Sequence, residues 1–74
     1  MSGPQSSRSK MLALLQEQID DERKAVRDYG NLAIGAQNMG LGHLGRIFQS
    51  ILRDEERHHN DLVKEYNKLY KESG

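Results

Sequence analysis

Glu55 and His58 stand three residues apart in the run Asp54-Glu55-Glu56-Arg57-His58-His59. On a helix that spacing puts a carboxylate and an imidazole on one face, about one turn apart. Together they offer an oxygen and a nitrogen donor, a pair suited to a transition metal. A second carboxylate lies earlier in the chain. Leu12, Leu15, Ile19, Val26, Tyr29 and Ala33 recur at three- and four-residue spacing, and the gap in that stripe is filled by Glu22. A carboxylate in an apolar seam is costly unless a cation or a proton neutralises it. Whether the three side chains meet depends on the elements that carry them.

Both patterns are helical. The first runs from Met11, with Glu17, Asp21, Arg23, Lys24, Arg27 and Asp28 on the opposite, solvated face. Gln37-Asn38-Met39-Gly40-Leu41-Gly42 breaks it, since Asn and Gly favour the left-handed cap that ends a helix. The second pattern takes Leu44, Phe48, Ile51, Leu52, Leu62, Val63, Tyr66 and Leu69 as its apolar set, with Glu55 and His58 continuing the inward face. No strand pattern competes. The expected fold is all-α: an antiparallel helical hairpin over residues 11–72, with helix one at about 10–37, the turn at about 38–41 and helix two at about 42–71. Residues 1–10, with Gly3, Pro4 and several serines, read as a disordered arm, and Ser7 or Ser9 as the first helix cap. Gly30 and Gly35 weaken helix one locally and would permit close packing.

A turn centred between Asn38 and Met39 sets level any two residues whose numbers sum to 77, pairing Glu22 with Glu55 and Tyr29 with Phe48. Equal rise on the two helices keeps this pairing within about 3 Å for a turn misplaced by one or two residues. A 74-residue chain without cysteine has no disulfide, thiolate zinc site or cysteine-held iron–sulfur centre to stabilise it. N/O-held metal and self-association remain. Eleven basic residues balance eleven acidic ones, interspersed, which argues against a nucleic-acid surface or a polybasic membrane anchor. No apolar run reaches membrane-spanning length, so a cytoplasmic protein is expected. A lone hairpin cannot cover its inner face; two hairpins about a twofold axis make a four-helix bundle. The homodimer would hold two copies each of Glu22, Glu55 and His58, enough for two divalent cations, iron or manganese before softer metals. Higher oligomers stay open.

At this level of detail the chain resembles half of a ferritin-like protein of the rubrerythrin branch. Glu22-x6-Tyr29 is similar to that family's first-helix ligand and its hydrogen-bonding tyrosine, and Phe48-x6-Glu55-x-x-His58-x3-Leu62 to its second ligand helix. The match covers about Leu12 to Leu69. It implies two iron ions per dimer, with manganese or zinc as substitutes, held by Glu22, Glu55 and His58. It also implies Fe(II) oxidation by dioxygen or peroxide, of the ferroxidase or peroxidase type. The family carries both helix pairs in one chain, whereas here one pair must dimerise, and His59 replaces the small residue expected after the ligand histidine. With no rubredoxin-like segment following, any electron donor would be a separate molecule.

Other readings compete residue by residue. Tyr29 is either plain packing or a hydroxyl donor to a carboxylate of the dimer mate. Glu56 with His59 is an alternative ligand register, rotated away from Leu44, Phe48 and Ile51; otherwise His59 sits at the seam boundary, hydrogen-bonded or near the site entrance. His43, beside the turn, reads as solvated. The whole may also be a non-catalytic homodimeric hairpin with a structural or incidental metal.

Overall fold

The computed structural model describes residues 4–73 and the side chains of residues 7–72. Two helices account for nearly all of it: α1, Pro4–Asn38, and α2, Gly42–Ser73. They pack antiparallel into a rod of 57 × 17 × 13 Å. No strand occurs among the described residues.

The turn explains why the chain reverses where it does. Gly40 has φ 76°, in the left-handed region where a side chain is strained. Its N–H donates to the Gln37 carbonyl at 3.0 Å, and the Leu41 N–H donates to the Ala36 carbonyl at 2.8 Å. Those two bonds form a Schellman cap, which satisfies carbonyls that the end of α1 would otherwise leave open. The Gly45 N–H then donates to the Leu41 carbonyl at 2.9 Å, starting α2 within a residue of the cap. Gly45 is buried, and a Cβ there would lie 3.0 Å from Gln37 Cγ, so the helices approach closely just past the turn. Gly30 and Gly35 do not serve that purpose: a Cβ at either would meet open space.

The seam between the helices follows strict three–four alternation on both sides. On α1 it comprises positions 12, 15, 19, 22, 26, 29, 33 and 36, all buried or half-buried; on α2 it comprises 45, 48, 52, 55, 59, 62, 66 and 69. The second set corrects the expected inward face. Glu55 belongs to the seam, but the next seam position is His59, and His58 lies on its flank with a half-exposed side chain. Leu44, expected to point inward, is likewise on the flank and exposed. The cause is that the apolar residues of α2 mark two adjoining strips, one against α1 and one open.

That open strip runs along one side of the hairpin. It takes every seventh residue, Met11, Gln18, Ala25, Leu32 and Met39 on α1 and Leu44, Ile51, His58, Glu65 and Glu72 on α2, so it is apolar toward the turn and acidic toward the end of α2. Shallow clefts lie on this side, an apolar one lined by Leu32, Met39, Leu44 and Phe48 near the turn and one near the open end lined by Met11, Leu15 and Leu69 together with the charged Glu65, Lys68 and Glu72. Only Ile19, Ala33 and Ala36 are buried apolar side chains among the described residues.

The arm expected over residues 1–10 is helical from Pro4, and both candidate caps, Ser7 and Ser9, lie inside α1. Proline suits a first helical position because its missing N–H would have had no partner there. Arg8 ties this segment to the far end of α2, its guanidinium 3.5 Å from the Glu72 carboxylate. No helix is long and apolar enough to cross a membrane.

Candidate metal centre

The 77-sum register puts Tyr29 against Phe48, ring centroids 6.2 Å apart. Glu22 and Glu55 meet by the same register, and one ligand atom from each of Glu22, Glu55 and His58 lies within 4.8 Å of the other two. His58 Nδ1 is 3.8 Å from Glu55 Oε1. Each helix contributes for a local reason. Glu22 and Glu55 occupy seam positions that direct their side chains between the helices, and His58 reaches the same level from the next turn of α2, on the flank that faces outward.

The electrostatics of the trio suit a cation. Glu22 Oε2 is buried with no hydrogen-bond partner. The Glu22 carboxyl is held above the ordinary glutamate value, first by a hydrogen bond with Glu55, then by burial and by the Glu55 negative charge. Asp21 adds to the rise and His58 opposes it. With both carboxylates ionised there is no donor between them; one shared proton bridges the pair. A divalent cation does the same work without the proton, and two carboxylates with one imidazole form a donor set for iron, manganese or zinc. Three ligands per hairpin leave coordination positions open. Arg57 does not compete for the site, since it pairs with Asp54 at 3.4 Å on the solvated side.

The remaining expected residues fall outside the trio. Tyr29 is half-buried against Phe48, and no hydrogen bond joins it to Glu22 or Glu55 within the hairpin. His59 is in the seam rather than at its boundary, and its Nε2 is buried without a partner. It lines a cleft with Arg23, Val26, Glu56 and Asn60 on the side away from His58. The alternative register therefore pairs Glu56 and His59 with a cation, Arg23, and no α1 carboxylate joins them. His43 is exposed, as expected. The buried His59 nitrogen is the feature that the sequence reading misses. Its signal was the heptad spacing Leu52, Glu55, His59, Leu62, applied as strictly to α2 as to α1.

Comparison with known proteins finds no family model that matches the chain, no matching curated protein and no matching solved structure. The functional reading therefore stands on the geometry.

Proposed function

We propose that this chain is a non-haem di-iron carboxylate protein of the ferroxidase or peroxidase type, with its site completed between two hairpins. The observation that carries this is the convergence of Glu22, Glu55 and His58 around a buried carboxylate oxygen that no group of the hairpin satisfies. The exposed apolar strip beside His58 supports the second hairpin, because a face of that kind is costly in water. Doubling the trio gives four carboxylates and two imidazoles. The likeness of the ligand spacing to ferritin-like proteins of the rubrerythrin branch agrees with this set, and a cytoplasmic setting with a separate electron donor belongs to the same reading.

Glu22, Glu55 and His58 would hold the iron, which when bound would supply redox chemistry toward dioxygen or peroxide. The chain's own residues hold and orient. Glu22 and Glu55, ionised, neutralise the ions' positive charge and favour the higher oxidation state. His58 would offer a ring nitrogen from the flank. The seam residues Ile19 and Val26, one turn either side of Glu22, limit water at the hairpin side of the trio.

Elemental analysis of the anaerobically Fe(II)-loaded protein, beside its mass in solution, tests this. About two irons per dimer are expected from the doubled trio, with Glu22→Ala abolishing them. A stable dimer that retains no stoichiometric iron would leave a non-catalytic helical hairpin.

A further inference from the structure

The hairpin has a second edge, on the side of the seam away from His58. A cleft there is lined by Arg23 of α1 and Asn60 of α2, and helical spacing from those two residues traces the edge along both helices. Arg27 stands one turn after Arg23, and Ile34 seven residues further. Arg53 and Arg46 stand seven and fourteen residues before Asn60. Of the six arginines in the chain, Arg8 and Arg57 pair with carboxylates. The other four all lie on this edge, exposed, and among the described residues no ion pair or hydrogen bond holds them. Between residues 23 and 54 the only acids are Asp28 and Asp54. They stand one turn from Leu32 and His58, on the other edge.

The 77-sum register sets Arg53 level with position 24 and Arg46 with position 31. The four arginines therefore span about 12 Å of the rod, at a rise of about 1.5 Å per residue. Ile34, 60% exposed, stands at the turn end of this row, and half-buried Val26 lines the cleft at the other. Guanidinium groups favour the flat, two-oxygen geometry of carboxylates and phosphates. A single small oxyanion is too short to meet the whole row. A nucleic-acid strand would meet the charges but find no exposed aromatic ring on this stretch to stack its bases. An extended peptide, at about 3.3 Å per residue, spans the row in roughly four or five residues, and apolar residues at its ends meet Ile34 and the Val26 cleft.

We infer that this edge docks an acidic, extended segment of a partner protein, its carboxylates on Arg23, Arg27, Arg46 and Arg53. The edge lies away from Glu22, Glu55 and His58, so the docking holds whether or not those residues bind metal. Fluorescence anisotropy at low salt, on metal-free protein, tests it with a fluorescein-labelled run of aspartates and glutamates closed by a leucine at each end. The parent and Glu22→Ala are expected to bind this peptide alike, and added salt to weaken the complex. Arg27→Glu with Arg53→Glu, both at exposed positions, should weaken binding about tenfold or more, while Lys64→Glu with Lys68→Glu, the same change in net charge, should leave it within about twofold. Circular dichroism checks that both double variants keep their helices. Equal weakening by the two pairs would overturn the docking site, since net charge alone would then govern binding, and so would a parent that does not bind. Tighter binding of single-stranded DNA or short-chain polyphosphate than of the peptide would overturn it too. A lower mass in solution for the arginine variant would make the edge a contact between copies instead.

Discussion

Glu22 and Glu55 face one another with only His58 beside them to oppose their repulsion, so the metal-free hairpin holds two competing carboxyls at one site. Because the Glu22 carboxyl is raised in the folded state, its stabilising contribution is fully present below the ordinary glutamate value. That contribution is lost as pH rises through the raised one. Without metal, Glu22→Gln is therefore expected to melt above the parent at neutral pH, with the difference shrinking as pH falls; thermal melts across a pH series measure it. A parent that equals the variant at every pH would show that the carboxylates do not repel. The two adjacent histidines make a second contrast. His58 is half-exposed, so His58→Ala should change stability by no more than about 0.5 kcal/mol while weakening metal binding. His59→Leu removes a buried, unpartnered nitrogen and should stabilise the fold by about 1–2 kcal/mol with metal binding retained. Denaturant titration and metal analysis of both variants check this, and an unfolded His58→Ala would make His58 a packing residue.

At the scale of the helices, the turn and the register were legible in the sequence because each rests on local chemistry. Asn38 and Gly40 announce a left-handed cap, and equal helical rise turns the position of the cap into a pairing of Glu22 with Glu55 and Tyr29 with Phe48. The rotation of α2 was not legible in the same way. Leu44 and Ile51 are apolar, as seam residues are, yet they belong to the neighbouring strip, and apolar spacing alone does not say which of two strips a residue serves. The start of α1 was misread for the converse reason. Its serines and Pro4 suit a loop by composition, but a solvated helix end tolerates them, and Arg8 reaches Glu72 only from a helix. The cap itself is testable. Gly40→Ala places a Cβ at positive φ and should cost about 1 kcal/mol of stability, measured by denaturant unfolding. An unchanged midpoint would mean that the turn relaxes without its left-handed residue.

The whole molecule is a thin rod with three buried apolar side chains among its described residues, a small core for two long helices. On the proposed two-hairpin reading, self-association would supply part of the stability. The melting temperature should rise with protein concentration, and a melt independent of concentration over two decades would argue for a self-sufficient hairpin.

The short turn has a consequence in time. Because Gly40 and Leu41 reverse the chain at once, the contacts between α1 and α2 close outward from the cap, and low-contact-order helical folds form within about microseconds to milliseconds. Glu22, Glu55 and His58 all belong to that single-chain event. Association of two chains is slower and waits on collision. On the proposed two-hairpin reading, each hairpin would then meet its partner with Glu22, Glu55 and His58 already set, able to carry a cation into the encounter rather than to wait for one afterwards.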